Sequence, residues 1–343
     1  MLNLIITILA VPFLPAFFYG NAANGISQQD SASTVVIEND DSKVLGEASE
    51  SGAVCGNIQK QNLFPIEADG LVPRRVKGSP DMMVWAGSAV SIDADTGTIL
   101  YYDNGRKRTQ IASLTKLMTA MLVIDNIKDL NEPVTITKEA MMVPATIVGC
   151  PTSTLCNSNR MYTGEKVRAI DLLKVMLLNS ANDAATALGV QVAGSTEKFA
   201  KMMNDKADEM GLVDTHFCTP SGLEIDGHED ECYSSAYDIA RIGVASLGYD
   251  LIWQIMKIPE GVFYSADGKY MHQMKNTDAF LGNMSNCLGA KTGFTPLAGK
   301  SLLLATVDPT GKHKVVSVLL NDENRWEDMR SLVDWAYGSY EWK

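Results

Sequence analysis

Short apolar runs near both ends of the folded part of the chain predict β-strands. Residues 88–93 and 98–102 are two such runs, and Asp95, Thr96 and Gly97 between them supply a turn. A tight turn between two such runs predicts a β-hairpin. Further strand-like runs occupy residues 288–292, 301–307 and 314–320.

Between these strands, from residue 113 to about residue 247, apolar residues recur at helical spacing. Ser235 followed by Asp238 resembles a capping box, and Gly194 and Gly211 are stop signals after predicted helices. The predicted helices span residues 117–124, 168–179, 184–192, 196–210, 235–245 and 327–337. A helical block between two groups of strands predicts an α+β fold, in which a central antiparallel sheet is flanked by helices and carries an inserted helical subdomain.

The N-terminus has the pattern of an export signal. Residues 4–19 are apolar and uncharged, and small residues follow at 20–23, which is typical of a secretory signal. Pro12 and Pro15 interrupt the apolar run and favour a cleaved signal. An uncleaved membrane anchor is the alternative, because the run has about the minimum length of a spanning helix.

Residues 24–80 are polar and acidic and show little periodicity, so they predict a flexible linker. The end of this stretch, residues 67–76, is expected to pack on the domain that follows. The expected division is a signal or anchor at 1–23, a linker at 24–80 and one folded domain at 81–343.

Composition and charge exclude several classes of protein. Of 343 residues, 46% are hydrophobic and 20% are charged, which is typical of a globular protein and excludes a fully disordered chain or a multi-pass membrane protein. The formal net charge of −12 argues against a nucleic-acid partner, because non-specific binding to phosphates requires a surplus of cations.

The first candidate motif is Ser113-Leu114-Thr115-Lys116, followed by a run that is apolar on nearly every face. Such a helix is expected to be buried. A serine and a lysine three residues apart share one helix face, and burial disfavours the ammonium form of the lysine. Ser113 is therefore a candidate nucleophile and Lys116 its proton acceptor. Taken alone, the motif also fits a Ser cap with a surface Lys.

The second motif, Ser180-Ala181-Asn182, lies in a break between two predicted helices. A hydroxyl and a carboxamide there can hydrogen-bond a lysine, relay a proton and hold a substrate amide. The third, Lys291-Thr292-Gly293, lies on a predicted strand, where two polar heads can converge on a carboxylate and the glycine lets a ligand approach the backbone. Taken separately, these motifs also fit turn residues and an exposed strand Lys.

Together and in this order, the three motifs resemble the signature of the penicillin-binding proteins and serine β-lactamases. The surrounding sequence is similar to the low-molecular-mass D-alanyl-D-alanine carboxypeptidases from about residue 84 to residue 340. The segments that carry this likeness are residues 112–119, 179–184, 214–217, 222–223, 235–238 and 289–293.

The resemblance implies a β-lactamase/transpeptidase-like fold and a serine-type D-Ala-D-Ala carboxypeptidase. Ser113 would attack the carbonyl between the two D-alanines of a peptidoglycan stem peptide, and Lys116 would deprotonate it. Ser180 and Asn182 would help to return the proton and to orient the substrate. The acyl-enzyme would then be hydrolysed, and no metal or cofactor is expected.

The resemblance also implies a substrate-binding group. Lys291 and Thr292 would bind the terminal carboxylate, beside Gly293. The oxyanion hole would be formed by the backbone N–H groups of Ser113 and Phe294. Arg325, ahead of the last predicted helix, matches an arginine that supports the carboxylate pocket in relatives.

Partners and location follow from the same resemblance. Stem peptides of peptidoglycan are the expected substrate, and β-lactam antibiotics are expected to acylate Ser113 and leave slowly. The protein is expected to be exported and to face the cell wall, either secreted or tethered through its N-terminal segment. Many relatives carry a C-terminal β-domain and then an amphipathic helix that rests on the membrane. This sequence ends soon after the last predicted helix, so anchoring at the C-terminus is not expected.

Six cysteines are a departure from the family. Export permits disulfides, and proximity in sequence favours two local bonds, Cys150–Cys156 and Cys218–Cys232. The remaining cysteines, Cys55 and Cys287, would be free or paired.

Four alternatives follow from the residues. A serine β-lactamase shares all three motifs and differs in how fast the penicilloyl-enzyme hydrolyses. A zinc peptidase is disfavoured because the histidines lack a ligand spacing, and a Ser-His-Asp hydrolase because no Gly-x-Ser-x-Gly elbow is present. A non-catalytic wall-binding protein leaves the three intact motifs unexplained. The histidines are His216, His228, His272 and His313.

Overall fold

The computed structural model describes residues 71–150 and 159–343. The predicted signal at residues 1–23 and most of the predicted linker lie outside these residues. Among the helices of the described part, none combines the length and the hydropathy that a membrane crossing requires.

In the part of the chain that the structure describes, the strands form one central sheet and three small ribbons. In chain order they are β1 (Pro73–Arg75), β2 (Ser88–Asp93), β3 (Ile99–Asp103), β4 (Pro133–Thr135), β5 (Lys166–Arg168), β6 (Glu260–Tyr264), β7 (Met271–Lys275), β8 (Cys287–Thr295), β9 (Gly299–Val307), β10 (Lys314–Leu320) and β11 (Tyr340–Trp342). The central sheet has the order β3-β2-β10-β9-β8, and each neighbouring pair is antiparallel. Strands from the two ends of the chain meet where β2 pairs with β10, which confirms the predicted sheet.

The α-helices of residues 71–150 and 159–343 form a block between β3 and β6, followed by one closing helix. They are α1 (Lys116–Asn126), α2 (Lys138–Met142), α3 (Ala169–Leu178), α4 (Asn182–Ala193), α5 (Thr196–Glu209), α6 (Ala236–Ser246), α7 (Asp250–Met256) and α8 (Arg325–Ser339). This arrangement confirms the predicted helical insertion.

Both faces of the central sheet are covered, because successive strand residues point to opposite faces. Leu303 and Ala305 belong to the core that contains α1 and α6. Leu302 and Leu304 pack instead with Leu332 of α8. Each fully buried leucine contributes roughly 2 kcal/mol of transfer free energy, so the two cores hold the helices on opposite sides of the sheet.

Helix α1 is enclosed over most of its length. Its residues from Lys116 to Val123 are all buried, and it packs among α3, α4, α5 and α6. The prediction of a buried helix with apolar residues on nearly every face is confirmed. As a result, Lys116, at the start of this helix, lies in the interior.

Helix boundaries follow the local signals that the sequence carries. Ser235 Oγ accepts a hydrogen bond from the N–H of Asp238 at the start of α6, as the capping motif predicts. Gly194, at φ 84°, ends α4 in the left-handed conformation that glycine adopts without strain.

Among the described elements, three ribbons and the short helices α2 and α7 were not predicted. Strand β1 lies in the stretch expected to be the end of the linker, and it pairs with β11, with Arg74 opposite Glu341. The other ribbons are β4–β5 and β6–β7. Strands of three residues are too short to show an alternation, and the pairing of β1 with β11 joins distant parts of the chain.

The predicted bond between Cys218 and Cys232 is confirmed, with the Cα atoms 5.4 Å apart. Cys150 is buried and disulfide-bonded, and its pairing with Cys156 stays a prediction. Cys287 is a free thiol. The cysteines that lie outside the described residues are Cys55 and Cys156.

Candidate active site

Ser113 and Lys116 lie at the junction between a short 3-10 helix, Ala112–Thr115, and α1. Residues three apart eclipse one another in a 3-10 turn, so the two side chains share a face. The Nζ of Lys116 donates to Ser113 Oγ over 2.7 Å. The spacing of the first motif therefore becomes a direct contact between a hydroxyl and an amine.

The amine of Lys116 has two further acceptors. It donates to Asn182 Oδ1 over 2.8 Å and to the backbone oxygen of Ser221 over 2.7 Å. Burial lowers the pKa of Lys116 well below its usual value, and the charge of Lys291 lowers it further, while Asp183 opposes the shift. A lysine in this setting can exist as a neutral amine at the pH where an ordinary lysine is charged.

The second motif occupies the break between α3 and α4. Ser180 has φ 63°, a left-handed conformation that is rare for a residue with a side chain. Asn182 is the first residue of α4, and its Nδ2 donates to the backbone oxygen of Pro144 over 3.0 Å. Its Oδ1 is thereby left to accept from Lys116.

Lys291 lies on β8 and is fully buried. Its Nζ donates to Ser180 Oγ over 2.9 Å and to the backbone oxygen of Thr292 over 2.8 Å. Burial, with a smaller contribution from the charge of Arg325, lowers the pKa of Lys291 to about 7. The Oγ1 of Thr292 lies 2.9 Å from the Oγ1 of Thr277.

The remaining predicted residues surround the end of β8. Gly293 lies against the turn before Ser113, since a Cβ on it would be 2.9 Å from the backbone oxygen of Ile111. Arg325, the first residue of α8, donates through Nη1 to the backbone oxygens of Gly293 and Ser301, both over 3.0 Å. The side chain of Phe294 is 61% exposed.

Hydrogen bonds thus join three segments that are distant in sequence. Lys116 connects the start of α1 to Asn182, and Lys291 connects β8 to Ser180. A hydroxyl beside a buried amine, with a second amine nearby, provides the groups that acyl transfer through a serine nucleophile requires. The structure brings the three motifs together as the sequence predicts.

The sequence missed several contributors to the site. The acceptor at Ser221 is a backbone oxygen, which no residue type reveals. Only glycine fits at position 222, because a Cβ on Gly222 would be 1.9 Å from the backbone oxygen of Ala112. Thr277 was missed because β7 and the loop after it carry no clear pattern. Asp183 follows Asn182 directly, and its full burial was not foreseen.

The histidines lie apart from these contacts. His272 is buried, with its Nε2 2.7 Å from Glu165 Oε1. Within residues 71–150 and 159–343, no group of three His, Cys, Asp or Glu side chains is placed to hold a metal ion.

Known proteins resemble this chain in sequence and in fold. The family described as D-alanyl-D-alanine carboxypeptidase matches residues 75–324. The sequence is 32% identical to D-alanyl-D-alanine carboxypeptidase DacF of Bacillus subtilis over 264 residues, which cover 75% of this chain and 63% of that protein. It is 33% identical to the D-alanyl-D-alanine endopeptidase of Pseudomonas aeruginosa over 224 residues, which cover 64% of this chain and 67% of that protein.

The fold is similar to that of penicillin-binding protein D2 of Listeria monocytogenes, whose structure was solved in the ampicillin-bound form. The TM-score is 0.63 at 26% identity, and the match covers 75% of this chain and 99% of that one. The chain spans about two thirds of the length of the two curated relatives.

Proposed function

Because this chain belongs to the D-alanyl-D-alanine carboxypeptidase family, we propose that it removes the terminal D-alanine from peptidoglycan stem peptides through an acyl-enzyme on Ser113. The family and the transpeptidase-like α+β fold are those that the three motifs predicted. The observation that carries the proposal is the 2.7 Å contact between Ser113 Oγ and the buried amine of Lys116.

In the acylation step, the neutral amine of Lys116 takes the proton of Ser113 while Oγ attacks the carbonyl between the two D-alanines. The C–N bond then breaks, and the leaving nitrogen receives a proton and departs as D-alanine. The backbone N–H groups of Ser113 and Phe294 stabilise the negative oxygen of the tetrahedral intermediate. The position of Gly293 against the turn before Ser113 supports this assignment, because it places β8 beside the nucleophile.

Proton return and hydrolysis use the same residues. Ser180 Oγ accepts from Lys291, and Asn182 Oδ1 accepts from Lys116, so the second motif lies between the two amines. This position supports a role for both residues in carrying protons and orienting the substrate. Water then attacks the ester on Ser113, and the shortened peptide leaves.

The terminal carboxylate of the substrate binds at β8. Lys291 supplies a buried positive charge when protonated, and Thr292 supplies a hydroxyl. Arg325 does not contact the carboxylate in this proposal. It supports the binding strand from behind by donating to the backbone oxygens of Gly293 and Ser301. Its charge adds to the positive potential around the carboxylate.

β-Lactam antibiotics acylate the same serine in this proposal. The ampicillin-bound form of the Listeria relative supports this partner. An enzyme that cleaves peptidoglycan stem peptides acts outside the cytoplasm, so the protein would be secreted or tethered through residues 1–23, which lie outside the described part. A second candidate activity, cleavage within cross-linked peptides, is favoured by the endopeptidase relative at 33% identity.

Mass spectrometry of penicillin-treated protein tests the proposal. We expect one adduct, on Ser113, and its loss in Ser113→Ala. Ser246→Ala is the matched control, because Ser246 is buried at the end of α6 and bonds to a backbone oxygen of its own helix. That variant is expected to keep the adduct.

Product analysis separates the candidate activities. Release of D-alanine from a soluble peptide ending in D-Ala-D-Ala, with slow loss of the penicilloyl adduct, is the expected result. Rapid turnover of penicillin would instead indicate a β-lactamase, and cleavage of cross-linked peptides alone would indicate an endopeptidase. Wild-type protein that takes no adduct would support a non-catalytic wall-binding role.

A further inference from the structure

Asp183 is a buried carboxylate directly beside the candidate site. It follows Asn182 in the first turn of α4 and is fully buried. Its Oδ1 and Oδ2 accept from the N–H of Val148 over 3.1 and 3.0 Å, and Oδ1 also accepts from the N–H of Ala184 over 2.9 Å. The carboxylate therefore joins α4 to a segment of loop that is distant in sequence.

That loop segment, residues 144–148, also contacts Asn182. The N–H of Asn182 donates to the backbone oxygen of Thr146 over 2.8 Å, and its Nδ2 donates to that of Pro144 over 3.0 Å. Residues 182 and 183 thus hold one short segment through three groups: a backbone N–H, a side-chain amide and a carboxylate. Displacing this segment would remove the acceptor that Asn182 Nδ2 uses.

The orientation of the Asn182 amide depends on this arrangement. With Nδ2 directed to Pro144, the amide presents Oδ1 to the amine of Lys116. An amide turned the other way would present a donor to a donor, and that contact is unfavourable. We propose, on the basis of the function given above, that Asp183 is a positioning residue that holds residues 144–148 and so fixes the Asn182 amide toward Lys116.

Asp171 shows that burial at a helix start does not by itself imply this role. It is a buried acid in the first turn of α3, as Asp183 is in α4. Its carboxylate forms ion pairs with Arg168 at 2.7 Å and Lys174 at 3.5 Å, on neighbouring turns of its own segment. Asp183 instead receives a backbone N–H from a separate segment that also touches the site.

The charge of Asp183 acts on Lys116 as well. Burial raises the pKa of Asp183 to about 7, against the stabilising N–H groups of Val148 and Ala184. Three other charged groups take part. The charge of Lys291 on β8 lowers the pKa of Lys116, and that of Arg160 in the loop lowers the pKa of Asp183. The charge of Asp183 in turn raises the pKa of His272 on β7. The ionised carboxylate raises the pKa of Lys116, so its removal lets Lys116 lose its proton at lower pH.

Two substitutions separate the contact from the charge. Asp183→Ala removes the acceptor for Val148, and we expect the second-order rate constant for acylation by penicillin to fall at least about tenfold. For the peptide substrate, kcat is expected to fall while KM changes less than about twofold, because the residues that bind the carboxylate are untouched. Asp171→Asn is the control and is expected to leave both rates unchanged.

Asp183→Asn keeps an oxygen that can accept from Val148 but loses the charge. Its acylation rate at alkaline pH is expected to lie within about threefold of wild type, and the acidic limb of its pH profile is expected to move to lower pH. If Asp183→Ala does not fold, Asp183→Leu, which is of similar size and has no acceptor for the N–H of Val148, takes its place, with the same fall in acylation expected. Acylation within about twofold of wild type in the folded variants, with an unmoved acidic limb, would overturn the positioning role even if the melting temperature falls.

Acylation of the wild-type protein separates the proposed function from the role of Asp183. Wild-type protein that is not acylated would overturn the proposed function. Wild-type protein that is acylated, beside Asp183 variants that behave like it, would overturn only the role of Asp183.

Discussion

Lys116 and Lys291 are both fully buried, yet the helical side and the strand side of the site hold them differently. Lys116, on α1, donates to three acceptors from three segments: Ser113, Asn182 and Ser221. Lys291, on β8, donates to Ser180 and to the backbone oxygen of its neighbour Thr292.

The difference concerns what each amine can still do. An ammonium has three donors, and the acceptors around Lys116 match all three; when the amine is neutral, its lone pair can face Ser113 Oγ while the two remaining N–H groups keep Asn182 and Ser221. Lys116 is therefore held in one position beside Ser113 in both protonation states. Within the described residues Lys291 donates to two acceptors, and in the proposed mechanism its third donor binds the substrate carboxylate. Under that proposal, the same residue type serves as a fixed base on one side and as an anion-binding group on the other.

Exchanging each lysine for arginine tests the difference between the two lysines most strongly. Arginine stays charged and cannot act as a base. Lys116→Arg is therefore expected to lower the acylation rate constant about 10³-fold, a loss within the usual range for removing a general base. Lys116→Met, of similar length and without a base, should show a similar loss. Stopped-flow measurement of penicillin acylation provides the rates, and near-normal acylation in Lys116→Arg would exclude the base role.

The pH dependence of substrate binding sharpens the comparison from the side of Lys291. Its pKa is lowered to about 7, so the free enzyme loses this positive charge as the pH rises above that value. KM for a peptide with a free carboxylate is expected to rise there by up to about tenfold per pH unit, because the neutral amine attracts the carboxylate weakly.

Lys291→Arg is the matching variant for this pH experiment. Its charge persists, so its KM is expected to stay flat with pH. A peptide whose terminal carboxylate is blocked as an amide serves as the control substrate. The same rise of KM with that peptide would contradict carboxylate binding at Lys291.

The smallest expected effect lies beside Lys291. Thr277→Val removes the hydroxyl 2.9 Å from Thr292 Oγ1, and a neutral hydrogen bond contributes about 1 kcal/mol. KM for the carboxylate peptide is expected to rise about fivefold with little change in kcat. Ser91→Ala is the control, because Ser91 and Ser317 form a comparable hydroxyl pair in the sheet. An equal rise of KM in that control would indicate a general loss of stability.

Much of the fold could be predicted because local patterns agree with the final packing. The apolar run after Lys116 predicted a buried helix, and Ser235 predicted the start of α6. β10 has the same bounds in the structure, Lys314–Leu320, as in the sequence prediction. Each of these signals depends on neighbouring residues alone.

The missed features depend on distant residues or on the backbone. The pairing of β1 with β11 involves three-residue strands from opposite ends of the described chain. In β7 the buried residues include His272, which counts as polar in a pattern although Glu165 satisfies it in the interior. The contact of Lys116 with Ser221 uses a backbone oxygen, which every residue type has, so the sequence carries no signal for it.

Ser180 carries a consequence for the evolution of the site. Its backbone has φ 63°, a conformation that glycine adopts freely and that costs other residues of order 1–3 kcal/mol. Glycine at this position would relax the turn but would delete the hydroxyl that accepts from Lys291. Given the proton-carrying role proposed for Ser180, selection for thermal stability and selection for turnover act in opposite directions at this one residue. A search for heat-resistant variants that does not select for activity is expected to find Ser180→Gly, which removes the hydroxyl.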